Sequence, residues 1–289
     1  MKRPEHVTTE DTTAGEHDLG NYPGQHDSFN EKENCMEHFL ATVKETVNPA
    51  TQPVGVNVIR DTALLEGLKI KVRGKRLAIC QQIAYSRMYS WSTWADAETS
   101  HCALGAACAG MILPPQRVID GTVNTGVYQE TQQAAAAMQG LMPRIKHGVA
   151  GVLTYPLARS FKGVTPDLVV IYVNTAQAMR FTQAFLYHQG GEFVMRTSGD
   201  AGACSRAVAQ VKLTGEPTVE IPCMGDRRFA MAQDHELIVG IPFDWLERTT
   251  EGLAATHKAG IRYPIPFQIP ASCELPPDYI TSEQDTEVP

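Results

Sequence analysis

Residues 167–191 read DLVVIYVNTAQAMRFTQAFLYHQGG. From Leu168 to Val173 every residue is apolar and most are β-branched, the composition of a strand buried on both faces. Asn174 or Thr175 then offers a helix cap. The segment TAQAMRFTQAFLYHQGG that follows reads as a helix stopped by its two glycines. A fully apolar strand running straight into a helix predicts a domain in which both element types share one core.

The pattern continues in both directions. Toward the C-terminus, EFVMRTS (192–198) reads as a strand, GDAGA (199–203) as a loop and CSRAVAQVKLTG (204–215) as a helix. TVEIP (218–222) and ELIVGIP (236–242) read as strands, and FDWLERTTEGLAATHKAG (243–260) as a helix. Toward the N-terminus, GVLTYPL (151–157) is a strand and YQETQQAAAAMQGL (128–141) a helix ended by Pro143. ADAETSHCALGAACAGMIL (95–113) is a loop turning into a close-packed helix. RLAIC (76–80) is a short strand before the helix QQIAYSRMYS (81–90), and PVGVNVIR (53–60) is a strand with Pro53 at its start. In NCMEHFLATVKETV (34–47), Met36, Phe39, Leu40, Val43 and Val47 share one helical face. The alternation predicts an α/β or α+β domain with a mixed sheet over residues 34–263. Residues 1–33 form a polar N-terminal arm, and residues 264–289 a proline-rich acidic tail. A repeat of layout is also visible: LAIC–helix–strand–SHC–helix against VVIYVN–helix–strand–GAC–helix, with Cys102 and Cys204 as counterparts.

The chain has 289 residues and carries 32 acids against 25 bases, a net charge of -7. That balance argues against nucleic acid as the main partner, and no Lys/Arg stripe with interleaved aromatics appears. No apolar run approaches the roughly 20 residues that span a bilayer, and the polar first thirty residues hold no signal peptide. The expectation is a cytoplasmic protein without a membrane partner. The arm has too few apolar residues to order alone, so it is either disordered or laid on another subunit, which hints at a homo-oligomer.

Seven cysteines are present: Cys35, Cys80, Cys102, Cys108, Cys204, Cys223 and Cys273. A reducing compartment and the odd count disfavour a disulfide framework. No C-x-x-C pair occurs, which removes zinc fingers and ribbons. Four of the seven share a local context. Cys80 ends an expected strand and opens a helix, Cys102 and Cys204 open helices after loops, and Cys223 follows TVEIP. Strand-to-helix junctions of α/β sheets gather at one edge, so distant residues there can meet. A thiol at a helix N-terminus also feels the positive end of the helix dipole, which favours thiolate. Four converging thiolates suit a soft metal: an iron–sulfur cluster of the 4Fe-4S type, or zinc as the alternative. The competing reading is that these are small apolar residues in a core. It is the better reading for Cys108, inside GAACAG, and neither Cys35 nor Cys273 is given a role.

Other side chains near these junctions carry possible chemistry. His101 adjoins Cys102 as ligand or proton donor. Asp226, Arg227 and Arg228 follow Cys223 and suit a substrate carboxylate, or else a buried ion pair that fixes the loop. Asn174 and Gln177 stand either at the mouth of the site or in a helix cap. Arg180 and Arg206 default to surface salt bridges, and Trp91 and Trp94 to core packing or an apolar pocket. G-x-G-x-x-G, G-x-x-x-x-G-K-[ST] and G-x-S-x-G are absent, which removes support for nucleotide-binding and serine-hydrolase readings.

PVGV, CQQIAYSR, HCALGAA, PDLVVIYVNTAQAMRFTQA, GACSRA, GEPTVEIPCMGDRRFAM and EGLAATHKAGIRYPIP together resemble the ArCR family, domain of unknown function 169, over roughly residues 50–267. The resemblance implies that the cysteines of the CQ, CxLGA, AC and PCxGDRR motifs are Cys80, Cys102, Cys204 and Cys223, the four that placement had selected. At Cys108 the family usually has another small or apolar residue.

These readings lead to three expectations. The first is an iron–sulfur enzyme, a lyase, dehydratase or redox type, acting on a small anionic molecule. Cys80, Cys102, Cys204 and Cys223 would bind the cluster, with His101, Asp226 and Arg227 as catalytic residues. The second is a non-catalytic iron–sulfur or zinc protein, an electron carrier or sensor. The third is a metal-free enzyme with one activated thiolate and His101 or His235 as base.

Overall fold

The computed structural model describes residues 29–264. Its strands are β1 (Val54–Ile59), β2 (Val72–Arg73), β3 (Thr93–Asp96), β4 (Gly151–Pro156), β5 (Leu168–Val173), β6 (Thr218–Glu220) and β7 (Leu237–Pro242). They form one sheet in the order β2-β3-β4-β1-β5-β7-β6. β2 runs parallel to β3, and the other neighbours pair antiparallel, so the sheet is mixed as expected. The apolar run that opened the reading is the interior strand β5, buried at all six residues. Its register sets Val169 opposite both Gly55 and Ile241.

The alternation of β5 divides the molecule into layers. Leu168, Val170 and Tyr172 enter one core, while Val169, Ile171 and Val173 enter the other. On the second face lie helices α1 (Phe29–Thr46), α6 (Thr175–Leu186) and α9 (Leu246–Lys258), through Phe39, Val43, Phe181, Phe185 and Leu253. On the first face lie α2 (Ile79–Tyr89), α3 (Ala103–Cys108) and a π-helix (Gly202–Gln210) that continues into α7 (Val211–Thr214). Short α4 (Gln116–Ile119), α5 (Gln132–Gly140) and α8 (Met224–Phe229) complete the order. The five aliphatic side chains of β5 contribute on the order of 10 kcal/mol of burial before chain entropy is set against it.

Local chemistry explains most boundaries. Asn174 accepts from the Gln177 N–H at 2.9 Å and Gln177 Oε1 accepts from the Asn174 N–H at 2.8 Å, a capping box that starts α6. At the crossing of α6 and α9 a Cβ on Gly252 would stand 2.5 Å from the Ala184 carbonyl oxygen, so only glycine lets the two helices approach this closely.

Several expectations differ from the structure. RLAIC is no strand: Leu77 makes an isolated bridge to Ser100, and the Ala78 N–H donates to Gln81 Oε1, so the chain is already capped into α2 at Ile79. EFVMRTS is irregular, with Val194 and Met195 exposed, so its apolar residues bury no sheet face that would hold it as a strand. The strand β3, by contrast, was hidden in a segment of only four residues. Without a strand at 192–198, the two halves of the expected repeat have different element orders. Helix α1 starts within the segment read as the arm. The arm before residue 29 and the tail beyond Pro264 lie outside the described residues.

Candidate functional site

Each of the four singled-out cysteines sits in the first turn or at the cap of a helix on the β5 face that carries Tyr172. Cys80 is the second residue of α2. Cys102 caps α3, its sulfur accepting from the Gly105 N–H at 3.4 Å. Cys204 is the third residue of the π-helix, and Cys223 caps α8. Glycines keep these pieces close. A Cβ on Gly105 would lie 3.7 Å from both Cys102 Sγ and Cys204 Cβ. A Cβ on Gly202 would meet Ile221 O at 2.8 Å and Asp226 Oδ2 at 2.9 Å. Asp226 is the tie between two of the arms: its Oδ2 accepts from the Cys223 N–H at 2.9 Å and from the Ala203 N–H at 3.2 Å.

The four thiols act on one another. Burial pushes the Cys80 thiol well up, and Asp226, Cys223 and Cys102 add to it. Cys102 is raised mainly by burial. Cys204 is raised well above its ordinary value by a hydrogen bond with Cys108, by burial, and by the charges of Cys108, Cys102 and Asp226. Cys223 is pushed up to about 11 by burial and by Asp226. The expectation that helix N-termini would favour thiolates is therefore corrected: desolvation and like charge outweigh the dipole of these short first turns. Asp226 is itself raised by burial. Only Cys108 is lowered, because the Cys204 side chain hydrogen-bonds to it, and Cys108 is fully buried.

The family described as uncharacterised ArCR, domain of unknown function 169, matches residues 42–252. The chain belongs to the ArCR family. An uncharacterised protein of Methanocaldococcus jannaschii is 27% identical over 177 residues, covering 60% of this chain and 75% of that protein. No solved structure matches.

The ArCR chain places the remaining candidates unevenly around the thiols. Asp226 is beside Cys223. Arg227 turns away: its guanidinium donates to Gln233 O at 2.6 Å and lies 3.5 Å from Asp234. Arg228 is exposed beside its own Phe229 ring and has no carboxylate partner among the described residues. His101 and His235 are exposed. Asn174 and Gln177 belong to the α6 cap, with Gln177 Nε2 also donating to Val47 O at 3.0 Å on the opposite side of the sheet. Arg180 is not a surface residue. It is fully buried and donates to Thr256 Oγ1 at 2.8 Å and Leu253 O at 3.0 Å, joining α6 to α9. Arg206 is buried and donates to Gln210 Oε1 at 3.0 Å. Trp94 packs in a small core with Leu153 and Tyr155, whereas Trp91 stays partly exposed. Cys35 lies on α1 in the opposite core, and Cys273 is outside the described residues.

Several neighbours of the thiols carry no motif in the ArCR sequence. Asp200 acts on Cys102 and Cys108 and accepts from Asn124 Nδ2 at 3.0 Å. Tyr128 stands half-exposed near Asp200, Cys223 and Asp226, each of which raises its hydroxyl after burial does. Tyr172 lies beneath, and its apolar strand gives no hint of a polar role. The mixture of loop and strand positions explains why sequence spacing alone does not find these three.

Among the described residues, no three His, Cys, Asp or Glu side chains are close enough to hold a single metal ion. A zinc bonded at about 2.3 Å to four sulfurs would draw them to within about 3.8 Å of each other. Among the described residues the thiols do not form such a site as they stand. An iron–sulfur cluster keeps its ligands further apart than one ion does, since its irons and sulfides fill the space between them. Cysteine sulfurs are donors that both groups take, so the donor chemistry fits a cluster or zinc. Among the described residues no helix is long and apolar enough to cross a membrane.

Proposed function

We propose that this ArCR protein is a cytoplasmic iron–sulfur enzyme whose cluster is held by Cys80, Cys102, Cys204 and Cys223 and whose substrate is a small anionic molecule. One observation carries the reading. Four cysteines from four helix starts share one face of the sheet: a Cβ on Gly105 would lie 3.7 Å from both Cys102 Sγ and Cys204 Cβ, and Asp226 Oδ2 ties the Cys223 N–H to the Ala203 N–H beside Cys204. Buried thiols gathered in one place are ligands that a bound metal centre would deprotonate. The raised thiols also weaken the metal-free alternative, which needs a thiolate at neutral pH.

When bound, a cluster supplies a Lewis-acidic iron where one ligand position is open, or a store for one electron where all are filled. The protein's own groups do the rest. Asp226 fixes Cys223 against the π-helix through two backbone N–H groups. Arg228, without a carboxylate partner, is better placed than Arg227 to take an anionic group. His101 stands exposed next to Cys102.

The test is iron, zinc and acid-labile sulfide content, with the visible spectrum, on protein purified without oxygen. Near-equal iron and sulfide, lost in Cys223→Ser and kept in Cys35→Ser, is the expected result. Folded, fully reduced protein without metal refutes the reading. A cluster whose spectrum responds to no small anion leaves an electron carrier or sensor.

A further inference from the structure

Tyr172 is 2% exposed on β5, on the face that carries the four cysteines, yet its hydroxyl has no hydrogen-bond partner in the structure. Buried tyrosines ordinarily bring their hydroxyl to a partner, because an unpaired buried donor is costly. The surroundings say which way this one faces: Asp226, Cys80 and Cys223 are among the groups that act on it. Asp226 is already engaged by two backbone donors through Oδ2, and the structure has no bond from Tyr172 to it.

The ring is held from behind. The Arg87 guanidinium lies 3.9 Å from the Tyr172 ring centroid. It is fixed there by Glu236 at 2.8 Å and by Met231 O at 2.7 Å. A cation on the ring face draws electron density from the phenol and makes its O–H a stronger donor. Glu236, Arg87 and Tyr172 thus form a buried line that ends in an unused donor beside the thiols.

We propose that the Tyr172 hydroxyl donates a hydrogen bond to a sulfur of the group bound by Cys80, Cys102, Cys204 and Cys223. This rests on the iron–sulfur reading above and assigns it a tuning residue. Donors to the sulfurs stabilise the more negative, reduced state and raise the potential, while tying the loaded centre to the sheet.

Tyr172→Phe removes the oxygen and keeps the ring over Arg87. On anaerobically loaded protein, a spectroelectrochemical titration is expected to give a lower potential than wild type at unchanged iron and sulfide content. Melting of the two forms is expected to move in opposite directions: up for metal-free Tyr172→Phe, which no longer buries an orphan hydroxyl, and down for the loaded variant. Wild-type protein moved into D2O and reduced should also show an exchangeable deuteron coupled to the cluster, missing in the variant. An unchanged potential in a variant that still holds its iron overturns the role of Tyr172 alone. Wild-type protein that holds no iron overturns the iron–sulfur reading, and this role with it.

Discussion

Replacing Arg87 by methionine removes a guanidinium enclosed on every side. Arg87 is 2% exposed and Glu236 6% exposed, and their charged atoms meet at 2.8 Å. The second Glu236 oxygen accepts from the Gln233 N–H at 2.8 Å, so the carboxylate is oriented. Methionine fills much of the volume but strands that carboxylate and leaves Met231 O with only the Gln233 Nε2 donor at 3.0 Å. Removing one partner of a buried pair costs about 3–5 kcal/mol. For a domain of this size each kcal/mol moves the melting temperature by about 2–4 °C, so the drop should fall between about 6 and 20 °C. Urea unfolding followed by far-ultraviolet circular dichroism measures it, on Arg87→Met, Glu236→Gln and the double variant. The double variant should lose less than the sum of the singles, because no charge is then stranded. A single-variant loss under about 1 kcal/mol, the range of exposed pairs, would refute the claim that this pair is desolvated.

Gly240→Ala would push a methyl group to 2.6 Å from Ala207 O and 2.9 Å from Val211 Cγ2, lifting the π-helix from β7. A loss of about 1–3 kcal/mol in unfolding experiments is expected, and a neutral result would mean the helix has room to move. Asp226→Ala strands the N–H groups of Cys223 and Ala203, for about 2–6 kcal/mol at about 1–3 each. Thermal melting of metal-free protein checks this. Glu220 is held above the usual carboxylate range by burial, against the pull of Thr197, the Ile221 N–H and Arg206, with Asp226 adding to the rise. A raised carboxyl contributes stability that is full below its unfolded value, about 4.3, and lost as pH rises through the folded one. Glu220→Gln should therefore gain on wild type in urea midpoint between pH 4 and pH 7, and a difference independent of pH would contradict it.

Long-range burial was legible where composition dictates it. β5 needed nothing beyond six apolar residues, and the Asn174 cap with its partner Gln177 stood in the sequence as a local pattern. The four cysteines were legible as starts of helices because loops precede Cys102 and Cys204 and short apolar runs precede Cys80 and Cys223. Their ionisation was not, since burial and mutual repulsion depend on what other segments bring nearby. Arg180 misled for a related reason: nothing in TAQAMRFTQA says that α9 will close over it and offer Thr256 and Leu253 O. The adjacent pair Arg227 and Arg228 invited an anion-binding reading, but the turn after α8 brings Gln233 and Asp234 to Arg227. Tyr172 was hidden inside the most obvious strand of the chain, where every residue reads as core.

The two borders of the sheet bear on how copies of this protein meet. At one border β2 offers two residues, with Lys69, Lys71, Arg73, Lys75 and Arg76 in and around it. At the other, β6 offers three, all buried, and the Thr197 hydroxyl bonds the Glu220 side chain there. A stub crowded with positive charge and a covered stub are poor templates for adding another strand. Among the described residues, growth of the sheet from molecule to molecule is disfavoured at both borders, which leaves the helix faces and loops as the surfaces where side chains choose a partner.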